Sequence, residues 1–198
     1  MNPGDSYEQR GLSAPAEARN LVLTGFMGTG KTRIGQEVAR CLGRPFVDMD
    51  VEIEAQAGKP IPSIFAEDGE AAFRRTEADL CRELSSRTGH VIATGGGALL
   101  ALANREAMMR GGIVVCLTSD PVEIQRRLSE GDSPVRPLLD VVDQQAEIER
   151  LLAARQDAYA AIPWQIDTTG SPVEEVAERV IQLAGVATLR VAYPGGEY

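Results

Sequence analysis

Residues Gly25-Phe26-Met27-Gly28-Thr29-Gly30-Lys31-Thr32 follow the apolar run Leu21-Val22-Leu23 and precede Ile34, Val38 and Leu42 at helical spacing. A strand, a G-x-x-x-x-G-K-[ST] loop and a helix in that order make a complete phosphate-binding loop. The glycines let consecutive backbone N–H groups curl toward a polyphosphate, and the helix that follows adds the positive end of its dipole. Gly28, Thr29 and Gly30 would line the nucleotide phosphates, Lys31 would bring a mobile cation to the β and γ phosphates, and Thr32 would offer a hydroxyl to Mg²⁺. Lysine is scarce here: Lys31 and Lys59 are the only two among 20 basic residues. In a chain that otherwise uses arginine, a compact charge at this slot points to function. The same eight residues could arise by chance in a glycine-rich loop, but then neither the strand nor the helical period would be expected around them.

Working outward, 198 residues suit one α/β domain with a real core. A net charge of −9 and a pI near 4.7 exclude a nucleic-acid or anionic-membrane partner as the first reading. Any bound phosphate must then meet positive charge gathered locally. Cys41, Cys81 and Cys116 are odd in number and sit in apolar patterns, which reads as reduced core thiols of a cytoplasmic protein. No apolar run reaches membrane-spanning length.

Five short segments read as strands: Leu21–Leu23, Pro45–Asp48, His90–Thr94, Ile113–Leu117 and Gln165–Asp167. Helical patterns fall at about 31–43, 50–57, 61–67, 70–87, 103–110, 120–130, 144–159 and 172–184, with starts such as Asp120-Pro121 and Ser171-Pro172. Alternating strands and helices predict a three-layer α/β/α domain on a parallel sheet, its ligand crevice at the carboxyl ends of the strands. The domain is expected over residues 20–185, after a disordered leader (1–19). The tail, 186–198, alternates like a strand over Thr188–Tyr193 and reads as either a loose terminus or the start of a further domain.

Other motifs fall after the predicted strands. Asp48-Met49-Asp50 ends the second, where strand alternation would aim both carboxylates to one side. Beside a triphosphate they need a cation or a hydroxyl proton between them, so Asp48 is assigned to water-mediated support of a metal and Asp50 to an acceptor hydroxyl. Alternatively, Asp50 simply caps the next helix. Gly95-Gly96-Gly97 ends the third strand and clears side chains from the crevice floor. Arg74 beside the apolar stripe Phe73, Leu80, Cys81 and Leu84, Arg155 one turn before Tyr159, and Arg136 in a Val-Arg-Pro-Leu-Leu run complete the candidates. A lone arginine is by default a solvated charge. His90, Trp164 and Met27 read as packing residues.

Together these motifs resemble the shikimate kinase family over about Leu21 to Leu183. The resemblance rests on the phosphate loop, Asp48-Met-Asp50-Val-x-Ile, Ile64-Phe65-x-x-x-Gly69-Glu70-x-x-Phe73-Arg74-x-x-Glu77, Gly95-Gly96-Gly97-Ala98, Val135-Arg136-Pro137-Leu138-Leu139, Arg155-x-x-x-Tyr159 and Asp167-Thr168. It implies a nucleoside-monophosphate-kinase-like fold with a five-stranded parallel sheet and a mobile lid. It also implies Mg²⁺-dependent transfer of the ATP γ-phosphate to the 3-hydroxyl of shikimate, on the route to aromatic amino acids, by a monomer. By position, Asp50 would bind the substrate hydroxyls, Arg74 and Arg155 its carboxylate, and Gly95, Gly96 and Gly97 its backbone-facing side. Arg136 would be the lid arginine and Arg127 the residue on the adenine. Ala160-Ala161-Ile162-Pro163-Trp164 departs from the family pattern, and Pro163 should end the helix early. The tail residues Leu189–Tyr193 echo the opening strand of a dehydroquinate synthase, which would fit a fused enzyme. A gluconate kinase on the same scaffold, or a nucleotide-dependent switch with no metabolite substrate, remain the competing readings.

Overall fold

Five strands lie parallel in the computed structural model, which describes residues 19–130 and 143–192. They are β1 (Asn20–Gly25), β2 (Phe46–Asp48), β3 (Val91–Ala93), β4 (Gly112–Thr118) and β5 (Trp164–Asp167), in the order β2-β3-β1-β4-β5. Side-chain alternation decides which helices cover which face. Leu21 and Leu23 of β1, with Val91, Ile113, Val115 and Ile166, point to one layer made by α1 (Lys31–Leu42) and α8 (Val173–Ala192). Val22, Val47, Ile92, Val114 and Cys116 point the other way. There they meet α2 (Met49–Ala57), α3 (Ile61–Glu67), α4 (Glu70–Ser86), α5 (Leu102–Gly111), α6 (Pro121–Glu130) and α7 (Gln144–Ala160). All six residues of β1 are buried, as a central strand covered on both faces requires.

The expected elements are all present, with ends shifted by at most two residues except at the end of α8, which runs to Ala192 rather than 184. A short 3₁₀ turn at Ala98–Leu100, unsignalled in the sequence, follows the triple glycine. Asp120 caps α6 by accepting from the Val122 N–H at 2.8 Å, with Pro121 as its first residue. Helix α7 ends at Ala160, so Pro163 does follow a stopped helix. The tail corrects the strand reading: residues 188–192 continue α8. Six alternating residues are a weak signal, and lengthening an existing helix needs no new nucleus. Cys81 and Cys116 are buried, but Cys41 is exposed, its sulfur 3.5 Å from Glu37 Oε1. The stripe Ile34, Val38 and Ala39 turns inward and leaves Cys41 on the outer side of α1. Residues 1–18 of the leader, the stretch carrying Arg136 and residues 193–198 lie outside the described residues. No described helix is long and apolar enough to cross a membrane.

Asn20 staples the rear of the sheet, away from the crevice. Its side chain is buried, donates to the Leu84 and Arg87 carbonyls at 3.0 and 2.8 Å, and accepts from the His90 N–H at 3.0 Å. One amide thus closes the end of α4 and aligns β1 with the entry to β3. Asn20→Ala should lower stability by about 2–3 kcal/mol, because buried partners are left unsatisfied. Urea unfolding would show it as a lower midpoint at unchanged slope.

Candidate active site

The loop after β1 takes its shape from three glycines in the left-handed or neighbouring region, Gly25, Gly28 and Gly30, at φ of 133°, 80° and 91°. At Gly25 a Cβ would also lie 2.1 Å from the Leu117 carbonyl oxygen on β4, so only glycine lets the chain turn there. Gly30 caps α1 without a side-chain hydrogen bond, and the first turn of α1 holds no acidic residue. Its leading N–H groups and dipole therefore face an anion with nothing from α1 itself competing. Lys31 Nζ donates to the Gly25 and Phe26 carbonyls at 3.0 and 2.9 Å, which poises the amine over the loop. Thr29 is fully buried, and its hydroxyl donates to Phe26 O at 2.8 Å. Only its backbone can serve a ligand.

Thr32 Oγ1 donates to Asp48 Oδ2 at 2.7 Å, while the other Asp48 oxygen accepts from the Asp50 N–H at 3.0 Å. This corrects two expectations. The helix starts at Met49, so its cap is Asp48 and not Asp50. Asp50 is helical, so its carboxylate reaches the crevice from the first turn of α2, while that of Asp48 reaches it from the last position of β2. Cap, metal-type hydroxyl partner and crevice wall coincide in Asp48 because β2 ends there.

The triple glycine is explained by close approach, since none of Gly95, Gly96 and Gly97 has a positive φ. A Cβ on Gly95 would lie 2.7 Å from Asp50 Oδ1 and 3.3 Å from Glu77 Oε1. On Gly96 it would meet Met27 N at 3.4 Å, and on Gly97 the Arg74 guanidinium at 3.1 Å. Three successive residues thus admit an acidic pair, the phosphate loop and a cationic fork.

Arg74 stands on the crevice side of α4, whereas its neighbour Arg75 is exposed. Arg74 packs 5.2 Å over the Phe73 ring and pairs with Glu77 at 2.8 Å and Glu70 at 3.4 Å. Glu77, only 2% exposed, shares the buried stripe of α4. Burial pushes its carboxyl above the ordinary 4.5, outweighing the attraction of Arg74, and Asp50 and Glu70 repel its charge further. Arg155, 9% exposed, lies with its guanidinium 5.1 Å over the Phe26 ring, one helical turn before Tyr159 on α7. Among the described residues it forms no ion pair within 4.0 Å. A guanidinium this buried normally has an anionic partner.

A cavity of about 840 Å³ opens along the phosphate loop, a volume in the range of small-molecule sites. Asp50, Thr94 and Gly96 wall one end and Arg127, Thr168, Pro172 and Val173 the other. Neither arginine is in this wall: Arg74 abuts Gly97, and Arg155 lies over Phe26. The described charged side chains of the lining balance: Lys31, Arg33, Arg126 and Arg127 against Asp48, Asp50, Glu123 and Glu130. Local positive field in this part therefore comes from backbone N–H groups more than from an excess of side-chain cations. Arg127 lines the cavity and is held on several sides. It pairs with Glu123 at 2.7 Å and donates to Gly28 O at 3.3 Å, Thr168 Oγ1 at 3.0 Å and Thr168 O at 2.6 Å. It ties α6 to the phosphate loop and to the loop after β5. Thr168, 1% exposed, completes that tie by donating to Thr29 O and Thr118 O at 3.3 and 3.0 Å. Glu77, Glu123, Thr168 and the Tyr159 hydroxyl are the residues that the sequence reading gave no role. Glu77, Thr168 and Tyr159 stand in the family-like motifs, but what they hold in place depends on burial, which is not written in local sequence. Arg136 lies outside the described residues.

Because the folded-state pKa of Glu77 is raised, the wild type loses stability relative to Glu77→Gln as pH rises above 4.5. Urea unfolding of both proteins near pH 4 and near neutrality should show the difference moving in favour of the glutamine variant. A difference independent of pH would refute the assignment.

The family model for shikimate kinase matches residues 27–184. A shikimate kinase of Geobacter sulfurreducens is 43% identical over 169 residues, which cover 85% of this chain and 92% of that protein. The solved structure of shikimate kinase from Acinetobacter baumannii in complex with shikimate superposes with a TM-score of 0.80 at 37% identity, covering 85% of this chain and 94% of the other. A gluconokinase from Sinorhizobium meliloti gives a TM-score of 0.58 at 14% identity, a likeness of fold alone. With the model spanning the phosphate loop, the acidic turn, the triple glycine and both arginine helices, this chain belongs to the shikimate kinase family.

Proposed function

We propose that this protein transfers the γ-phosphoryl group of ATP to the 3-hydroxyl of shikimate, giving 3-phosphoshikimate and ADP. The observation that carries this reading is the buried Arg155, over the Phe26 ring of the phosphate loop and without a described carboxylate partner, together with Arg74 against the glycine turn that touches that loop. Two planar forks suit a carboxylate, and one glycine, Gly96, separates that acid subsite from the backbone of Met27.

In this reading the phosphate loop holds the triphosphate through Gly28, Thr29 and Gly30, with Lys31 swinging from its loop carbonyls onto the β and γ phosphates. Asp50 orients the acceptor hydroxyl and takes its proton, while Arg74, Arg155 and the backbone of Gly95, Gly96 and Gly97 fix the rest of the acid. The transition state is loose, so the acceptor needs little prior deprotonation and positioning with charge neutralisation does most of the work. Arg136 is assigned the lid role from its place in the Val135–Leu139 run. For Arg127 the saturated hydrogen bonds favour bracing the nucleotide loops, with the adenine against its outer face.

The Thr32 hydroxyl and Asp48 carboxylate offer the oxygen donors that a hard cation takes, and no cluster of three or more His, Cys, Asp or Glu exists among the described residues. Such a site suits Mg²⁺ held mainly by phosphates and water, where it would neutralise charge on the nucleotide. Thr32 and, through water, Asp48 would hold it.

Coupled ADP release should be fast with shikimate and near background with gluconate or no acceptor. Equal rates with gluconate would favour the rival kinase, and release without any acceptor the nucleotide switch. Lys31→Met should lower kcat by about 10²–10³-fold, the scale of losing one charge-stabilising donor, with the fold kept. Arg74→Ala should raise the shikimate KM about 10- to 100-fold, as expected for losing a charge-assisted hydrogen bond, with little change in the ATP KM.

A further inference from the structure

Thr168 is 1% exposed and lines the cavity just where β5 ends. Its backbone N–H donates to the Thr118 carbonyl of β4 at 2.9 Å, which carries the sheet pairing one step beyond the strand. Its hydroxyl stands among three polar groups. It accepts from Arg127 Nη1 at 3.0 Å and shares its one proton between Thr118 O at 3.0 Å and Thr29 O at 3.3 Å. An arginine can only donate and a carbonyl only accept, so the direction of every bond here is fixed. All three nitrogens of the Arg127 guanidinium donate: Nε to Glu123, Nη1 to Gly28 O as well as Thr168 Oγ1, and Nη2 to Thr168 O.

We infer that the Thr168 hydroxyl is a positioning group for the nucleotide, holding the phosphate loop and Arg127 at one fixed spacing. Gly28 O and Thr29 O are successive carbonyls of the loop, and each is reached at 3.3 Å, one by Arg127 and the other by Thr168. In a planar trans peptide the N–H points opposite to the carbonyl, so the anchored Thr29 carbonyl turns the Gly30 N–H away from Thr168. Gly30 lines the cavity and caps α1, where its N–H is one of the donors that no helical carbonyl can reach. Without the hydroxyl, the bond to Thr168 O would still hold Arg127 to the loop after β5, but nothing from Thr168 would reach the phosphate loop. The hydroxyl is thus the group of Thr168 that meets both. Its effect should fall on the nucleotide, which in the proposed reading runs from the loop toward Arg127, and spare the acid held by Arg74 and Arg155 outside this wall.

The inference rests on the reading of the phosphate loop as the nucleotide site, and ADP binding by calorimetry separates the two. Thr168→Val keeps the branched shape without the hydroxyl. It should weaken ADP binding and raise the ATP KM about 5- to 20-fold, the scale of one hydrogen bond to a charged group, with the shikimate KM changed less than about threefold. Thr168→Ser keeps the hydroxyl and drops a buried methyl, so it should lower the urea midpoint yet bind ADP within about threefold of wild type. If Thr168 only packs, affinity would follow the midpoint and serine would be the worse variant. That result would overturn the inference, as would unchanged ADP binding in Thr168→Val. Should valine at this crowded position prevent folding, Thr168→Ala carries the same prediction. Lys31→Met tests the underlying reading: if it weakens ADP binding while Thr168→Val does not, the nucleotide site survives and the positioning role falls. Should neither variant alter ADP binding, both fall together.

Discussion

Three residues without side chains at the end of β3 leave room for everything else in the site. Around Gly95, Gly96 and Gly97, an acidic pair, the phosphate loop and a cationic fork come within 2.7–3.4 Å of where methyl groups would stand. At Gly96 the neighbour is backbone, the Met27 nitrogen, whereas at Gly95 and Gly97 the neighbours are the side-chain ends of Asp50, Glu77 and Arg74. A methyl at Gly95 would push against Asp50 and Glu77, and one at Gly97 against Arg74. The parallel sheet serves this crowding, because adjacent β1 and β3 end side by side and deliver the two loops to one point.

Electrostatics follow from the same economy of space. The chain carries −9 overall, and the described wall of its cavity has as many acidic as basic side chains. Oriented amides of the loop and α1 therefore supply positive field without adding mobile charge. Most described cations are already engaged: Arg74 with Glu77 and Glu70, Arg127 with Glu123. Arg155 differs, lying over the aromatic face of Phe26, which does not neutralise it. Engagement by a neutral ring leaves the charge to act on a ligand.

Polar groups buried behind the crevice form the second layer of the site. Thr168 joins β4, the phosphate loop and Arg127, Asn20 joins the rear of the sheet to α4, and Tyr159 joins α7 to the glycine turn. Each is a short side chain or a single hydroxyl, and Thr168 and Asn20 have more than one partner. Buried groups of this kind specify position because an alternative arrangement would leave one of them unpaired.

The strands and helices, the phosphate loop and the family motifs were legible because each is a local pattern: apolar periodicity, capping residues, and glycines at fixed offsets. Lys31, Thr32, Asp50, Arg74 and Arg155 could be picked out by residue type within such patterns. Local pattern misled where neighbours far along the chain intervene. Asp48 rather than Asp50 caps α2 because β2 ends one residue before the helix begins, and Cys41 turns outward because Ile34 and Val38 claim the sheet. The bracing by Thr168, the burial of Glu77 and the hydrogen bond from the Tyr159 hydroxyl to Gly96 O span 41 to 139 residues or depend on desolvation by the whole fold. Sequence alone thus determined which chemical groups and elements are present. Tertiary structure alone decided which groups meet and which charges are neutralised, since distance and burial arise only when the layers close on the sheet.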